Sequence, residues 1–168
     1  VNAFTKERQV SYDVKLYDDR GKLVATTSTK TELLAGSGSS EINFDLTVKA
    51  PRLWNLDSPV MYKAVVSIVS GGKVIDSETV PFGIRSFEFV PATGFWLNGK
   101  NFKIKGMCLH HDGSAFGAAV PLAVWERRLN KLRELGVNAI RTAHNPPAPE
   151  FLDLTDRMGF LVMDETFD

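Results

Sequence analysis

The sequence has little cysteine, no net charge and no long hydrophobic run. Its single cysteine, Cys108, excludes an internal disulfide. The 20 Lys and Arg residues balance the 20 Asp and Glu residues, which argues against a nucleic acid or a membrane surface as a partner. No apolar run reaches the length of a membrane span, and the chain opens without an initiator methionine or a signal-peptide core. We therefore expect a segment of a longer protein.

Residues 1–88 carry the pattern of a β-sheet domain. Apolar and polar residues alternate in SYDVKLYD and again in EINFDLTVKA (41–50), which predicts half-buried strands. The turn DDRG (18–21) and the pair Gly71-Gly72 predict hairpins, and GSGSS (36–40) predicts a surface loop. Several short strands separated by such turns and loops indicate an immunoglobulin-like β-sandwich over residues 1–88.

Residues 89–168 have a different pattern of apolar and polar residues. After a predicted hairpin around Asn98-Gly99, the apolar runs of MCLHHD, VNAI and FLVM are separated by PLAVWERRLNKLRELG and PEFLDLTDRMG. Both longer segments have apolar residues at steps of three and four, with proline in front and glycine behind, which is typical of amphipathic helices. The order β-α-β-α-β with continuously apolar strands predicts a parallel sheet covered by helices.

Each of the three predicted strands ends in polar residues. The carboxyl ends of parallel strands face one crevice, where ligands bind in such folds. Three prolines stiffen the backbone after the second strand, in RTAHNPPAPEF. The candidate site residues at the three ends are His110, with His111 and Asp112 beside it, then Arg141, His144 and Asn145, then Asp164 and Glu165.

Some of these residues have structural interpretations as well. Neighbouring strand residues point in opposite directions, so only one of His110 and His111 faces the crevice, and His111 is the better candidate for a structural role. Arg141 is a candidate either for ligand contact or for a buried ion pair with Asp164 or Glu165. The two carboxylates could instead cap the segment that follows.

Longer motifs in the chain resemble glycoside hydrolase family 2, which includes β-galactosidases, β-glucuronidases and β-mannosidases. The resemblance rests on PRLWNLDSPVMY, FGIRSFEF, FWLNGKNFKIKGMCLHHD and NAIRTAHNPP, followed by FLDLTDRMGFLVMDE. The family pattern Asn-x-x-Arg-x-x-His-x-Pro and its downstream elements are matched by Asn138, Arg141, His144 and Pro146, by Asp156 and Gly159, by Asp164 and Glu165, and by His110.

The resemblance implies a fold and an activity. The fold is an immunoglobulin-like sandwich, residues 1–88, followed by the first part of a (β/α)₈ TIM barrel, residues 89–168. The activity is that of a retaining exo-β-glycosidase acting on a carbohydrate substrate, for which a β-galactoside is the leading assignment and β-glucuronides and β-mannosides are the alternatives. The acid/base and nucleophile glutamates of the family follow on later barrel strands, so the chain itself is expected to hold no catalytic residue and to be inactive.

The resemblance also implies roles for the strand-end residues. His110 and His144 would bind sugar hydroxyls, and Arg141 would orient the carboxylates of the cleft. Asn145, Asp164 and Glu165 would support the same cleft, and Glu165 matches neither catalytic position of the family.

Two other classes of protein stay open from the sequence. A metal-dependent barrel hydrolase would use His110, His144 and Asp164 as ligands, although adjacent histidines do not have the His-x-His spacing that points two imidazoles to one side. A non-catalytic carbohydrate-binding or scaffolding module would use the sandwich, which shows no aromatic platform outside its expected core. No cofactor motif is evident, and a divalent cation in the complete enzyme stays open. Self-association through exposed barrel edges is a further expectation.

Overall fold

The computed structural model describes residues 1–166, which form two compact units. The first unit consists of residues 1–52 and 61–82. The second unit consists of residues 53–60 and the described residues from 83 onward. None of the helices in the described part of the chain is long and apolar enough to cross a membrane.

The first unit is an antiparallel sheet of five strands. Their order is β2-β1-β4-β5, and β3 pairs with β1. The predicted hairpins are confirmed: the Asp18 carboxylate accepts the backbone N–H groups of Arg20 and Lys22 in the first turn, and Gly71 and Gly72 form the second with positive φ. The strands are β1 (Arg8–Tyr17), β2 (Leu23–Ser28), β3 (Glu32–Leu34), β4 (Tyr62–Ser70) and β5 (Lys73–Phe82).

The strand predicted at residues 41–50 is wrong. Ile42, Phe44, Leu46 and Val48 are half-buried between exposed neighbours, so the alternation is present, but the segment is not part of any sheet. A strand needs a neighbouring backbone to pair its N–H and C=O groups, and an alternating sequence does not specify that neighbour.

The second unit begins with a small antiparallel sheet of strands β6 (Phe87–Val90), β7 (Gly94–Leu97) and β8 (Lys100–Phe102). The predicted hairpin around Asn98-Gly99 is confirmed. Asn98 has φ 52° and Gly99 has φ 74°, and two consecutive positive φ values are what a two-residue hairpin loop requires.

The rest of the second unit is the predicted β-α-β-α-β segment. All strand pairs are parallel, and the sheet order β11-β10-β9 places β10 in the middle. Gly136 follows the first helix with φ 81°, and Gly159 caps the second in the left-handed conformation. The elements are β9 (Gly106–His110), α1 (Leu122–Glu134), β10 (Ala139–Ala143), α2 (Pro149–Met158) and β11 (Leu161–Met163).

Helices α1 and α2 cover one face of this parallel sheet. Leu129 and Ile140 are 0% and 1% exposed, and with Phe151, Leu154 and Phe160 they form the core of the second unit. Burial of large apolar side chains contributes about 1.5–3 kcal/mol each, so this cluster is what holds the sheet against the helices.

The segment 53–60 also packs in the second unit, although it precedes the last strand of the first unit in sequence. Trp54 is buried, and its indole N–H donates to the backbone oxygen of Asp156 at 2.8 Å. Gly159 lies so close that a Cβ there would stand 2.4 Å from the backbone oxygen of Leu56. This approach and the φ of 72° both require glycine.

Candidate functional site

The parallel register brings three strand ends to one edge of the second unit. Ala143 lies opposite His110, and Arg141 lies opposite Met163. The residues that immediately follow the strands therefore meet at the same edge. Five of the six predicted site residues contribute to the contacts there, and we call them the strand-end cluster: His110, Arg141, His144, Asp164 and Glu165.

An ion pair lies at the centre of the strand-end cluster. Arg141 Nε donates to Glu165 Oε1 at 2.6 Å, and the two side chains are 37% and 22% exposed. Arg141 Nη1 also lies 3.6 Å from the sulfur of Cys108 on β9. The contacts with Cys108 and, next, with Glu165 raise the pKa of the Arg141 guanidinium above its ordinary value. Arg141 is therefore a permanent cation, held in place between the two neighbouring strands.

The two histidines extend the cluster from Glu165 outward. His144 Nδ1 lies 3.6 Å from Glu165 Oε2, within the range of an ion pair but longer than a hydrogen bond. The ring of His110 packs edge-on against the ring of His144, with centroids 5.4 Å apart and an interplanar angle of 71°. His144 is 39% exposed and His110 is exposed, so both imidazoles reach solvent.

Asp164 joins the cluster through a residue that the sequence did not indicate. Thr142 Oγ1 donates to Asp164 Oδ1 at 3.0 Å and accepts the backbone N–H of Glu165 at 3.1 Å. Thr142 is buried, at 5% exposure. The available signal was a lone hydroxyl inside the apolar strand AIRTA, because a buried polar group needs hydrogen-bond partners.

Asn145 and His111 lie outside these contacts. Asn145 is exposed in the proline-stiffened loop, and its side chain forms no hydrogen bond with residues 1–166. His111 is exposed and borders a pocket of about 180 Å³ whose apolar walls include Trp125 and Phe151. His110, the residue expected to face the crevice, is the histidine that contacts His144.

The arrangement suits a ligand that carries many hydroxyl groups. It presents imidazoles, which donate or accept hydrogen bonds, beside a fixed guanidinium and two carboxylates. Within residues 1–166, no group of three or more His, Cys, Asp or Glu side chains is placed to hold a metal ion. The three residues of the metal hypothesis are engaged differently: His144 faces Glu165 and His110, and Asp164 accepts from Thr142.

Comparison with known families assigns both units. Residues 1–85 match glycosyl hydrolases family 2, and residues 90–167 match the TIM barrel domain of glycosyl hydrolases family 2. The predicted fold class, an immunoglobulin-like domain followed by the start of a TIM barrel, is confirmed.

Individual relatives agree with this assignment. A β-galactosidase of Bacteroides ovatus is 46% identical over all of this chain and 20% of its own length. A crystal structure of a family 2 member from Bacteroides cellulosilyticus superposes with a TM-score of 0.91 at 37% identity, over 98% of this chain and 21% of that one. A β-glucuronidase of Ruminococcus gnavus, solved in complex with D-glucuronic acid, has a TM-score of 0.78 at 29% identity, over 93% of this chain and 25% of that one.

The chain thus spans a fifth to a quarter of the length of these relatives. Both family models belong to glycosyl hydrolases family 2, and together they cover residues 1–85 and 90–167. The chain belongs to glycosyl hydrolases family 2.

Proposed function

We propose that the protein to which this chain contributes is a retaining exo-β-glycosidase that hydrolyses terminal β-galactosides. The observation that carries this proposal is the strand-end cluster, which gathers two solvent-facing imidazoles and a fixed ion pair at the carboxyl ends of three parallel strands. This edge is where barrel enzymes bind their substrates. The relatives, β-galactosidases and β-glucuronidases, support hydrolysis of a β-linked sugar.

In this proposal the two histidines bind the sugar. His110 and His144 hydrogen-bond ring hydroxyls, and these bonds strengthen as positive charge develops on the sugar in the transition state. Arg141 supplies a fixed positive charge that orients the carboxylates of the cleft. Glu165 and Asp164 support this arrangement through their contacts with Arg141, His144 and Thr142, and the exposed Asn145 belongs to the same cleft.

The catalytic acid/base and nucleophile come from residues outside this chain. A retaining glycosidase needs two carboxyl groups about 5–5.5 Å apart on either side of the glycosidic bond. Glu165 already faces Arg141 and His144 with its two oxygens, and Asp164 accepts a hydrogen bond from Thr142. In the family resemblance Glu165 matches neither catalytic position and both catalytic glutamates lie on later barrel strands, so we expect the 168-residue chain alone to be inactive.

A β-glucuronide is the second candidate substrate. The β-glucuronidase of Ruminococcus gnavus resembles 93% of the present chain. A β-glucuronidase of Bacteroides fragilis is 38% identical over 89% of the present chain. The two sugars differ at C5, which carries a carboxylate in glucuronic acid, and at the configuration of C4. Discrimination between them therefore depends on the groups that face C4 and C5.

Chromogenic β-galactoside, β-glucuronide and β-mannoside test the proposal directly. The complete enzyme should hydrolyse the β-galactoside with the highest kcat/KM, with retention of anomeric configuration, and the 168-residue chain should give only background. A higher kcat/KM on the β-glucuronide would select the second candidate. Inversion of configuration, or turnover by the purified chain, would contradict the proposed mechanism.

A further inference from the structure

Thr142 is a buried polar residue whose hydroxyl connects Asp164 and Glu165 of the strand-end cluster. It lies on β10, the middle strand, directly after Arg141, and is 5% exposed. A hydroxyl has one proton to donate and lone pairs that accept. A buried hydroxyl must use both capacities or lose the hydrogen bonds that water would have given it.

The hydroxyl of Thr142 spans two consecutive residues beyond β11. An ionised carboxylate only accepts, so Thr142 Oγ1 donates its proton to Asp164 Oδ1, at 3.0 Å. The backbone N–H of Glu165 then donates to the same oxygen, at 3.1 Å. The backbone oxygen of Met163 lies farther away, at 3.5 Å, and competes weakly for the single proton.

These two bonds determine where the Glu165 side chain begins. With its backbone N–H fixed to Thr142, the Glu165 carboxylate lies 2.6 Å from Arg141 Nε and 3.6 Å from His144 Nδ1. We propose that Thr142 is a positioning residue of this cleft, whose hydroxyl fixes the turn after β11 so that Glu165 holds both Arg141 and His144.

A structural alternative is that Thr142 only fills space between the sheet and the helices. The two accounts differ in the hydroxyl, because valine has nearly the same shape and forms no hydrogen bond. Thr142→Val removes the hydroxyl, and Thr142→Ser keeps it while removing a methyl group. Thr155 on α2 is a matched control: it is 1% exposed, and its hydroxyl donates to the backbone oxygen of Leu152 at 2.8 Å, away from the cluster.

The importance of Thr142 for catalysis rests on the proposed function, whereas its effect on the ion pair does not. The ion pair is measurable in the 168-residue chain without any turnover. Failure of the positioning role would therefore leave the glycosidase proposal intact. Loss of the glycosidase proposal would leave the positioning role intact.

The test is the Nε–H signal of Arg141 in the ¹⁵N NMR spectrum, with its rate of exchange with solvent. Thr142→Val should shift this signal and speed its exchange by about tenfold, the scale expected when a buried hydrogen bond is lost. Thr142→Ser and Thr155→Val should leave both close to the wild-type values. If Thr142→Val does not fold, Thr142→Cys under reducing conditions carries the same expectation, because a thiol is a weak hydrogen-bond donor. An unchanged Arg141 signal in the folded Val or Cys variant, or an equal change in Thr155→Val, would overturn the proposal.

Discussion

The two units differ in what their strand ends can do. The first unit is antiparallel, so consecutive strands end at opposite edges of the sheet and their terminal residues are spread apart. The three parallel strands of the second unit all end at one edge, where their terminal side chains contact one another. Both units have turns, apolar strands and charged residues, and the contacts of the strand-end cluster are found in the parallel one. Strand direction thus accounts for the position of the site.

The units also differ in how they bury their apolar residues. In the first unit, β5 is exposed along almost its whole length. The buried apolar residues of this unit are Val10, Val14, Leu16 and Tyr62. In the second unit, two helices cover one face of the parallel sheet around Leu129 and Ile140. The second unit also exposes apolar side chains from both of its sheets, which we call its open face: Phe87 and Phe89 on β6, Met107 on β9 and Met163 on β11.

The largest expected effect sharpens this contrast in burial. Leu129→Ala removes a side chain with 0% exposure from the core of the second unit and should cost about 2–5 kcal/mol of its free energy of unfolding. Leu33→Ala on β3, where the side chain is 59% exposed, should cost about 0.5 kcal/mol or less. Native-state hydrogen exchange of the β10 amides and of the β1 amides measures each unit separately. Equal losses in the two variants would show that the burial contrast does not set stability.

A second expected effect concerns the open face of the second unit. Phe87, Phe89, Met107 and Met163 border a cleft of about 490 Å³, and within residues 1–166 strands β9 and β11 each pair only with β10. We propose that a second copy of the chain covers this face and pairs with these edges. In the complete enzyme the remaining strands of the barrel would occupy the same place.

Sedimentation velocity tests this self-association. The chain should form dimers as its concentration rises, and Met163→Lys should weaken the dimer by about tenfold or more, because it places a charge on the contact face. Val74→Lys is the control, since Val74 is similarly exposed but lies on β5 of the first unit. A chain that stays monomeric up to high concentration, or a dimer that responds equally to both substitutions, would contradict the assignment of this face.

The sequence predicted most of the second unit because its signals are local. Helical periodicity, the flanking prolines and glycines, and short apolar strands located the three strands and two α-helices from β9 to β11, although not the short 3₁₀ helix Ser114–Phe116 between β9 and α1. Parallel strand order then predicted which polar residues would meet. The failure at residues 41–50 involves partners distant in the chain, because these residues alternate without a neighbouring strand. The bond of Trp54 to Asp156, 102 residues away, was likewise not indicated by the sequence. The role of Thr142 was missed because a hydrogen bond between strand ends has no periodic signature.

The smallest expected effect is a pH dependence in the second unit. Burial raises the pKa of the Asp156 carboxyl above its ordinary value of 3.8, and the nearby Arg85 opposes this shift only in part. The fold therefore disfavours the ionised carboxylate. The contribution of Asp156 to stability should therefore be most favourable below pH 3.8 and should become less favourable as pH rises from there through the raised pKa of the folded state.

Asp156→Asn tests that dependence. The variant should be slightly more stable than the wild type at neutral pH, by about 1 kcal/mol or less, and the difference should vanish in acid. The backbone oxygen that accepts the Trp54 bond is kept in the variant. Chemical denaturation across this pH range measures the effect, and a variant that is less stable at neutral pH would reverse the inferred sign.

We propose that the strand-end cluster of the second unit binds sugar. A comparison of His144→Ala with His111→Ala in the complete enzyme is the sharpest test of this proposal. His144 lies beside Glu165 and His110, whereas His111 lies outside these contacts. Loss of a hydrogen bond that matters mainly in the transition state costs roughly 2–4 kcal/mol, so His144→Ala should lower kcat/KM on a β-galactoside by about thirty- to a thousand-fold. His111→Ala should lower it by about threefold or less, and neither variant should unfold. Equal losses at the two positions, or full activity in His144→Ala, would contradict the account.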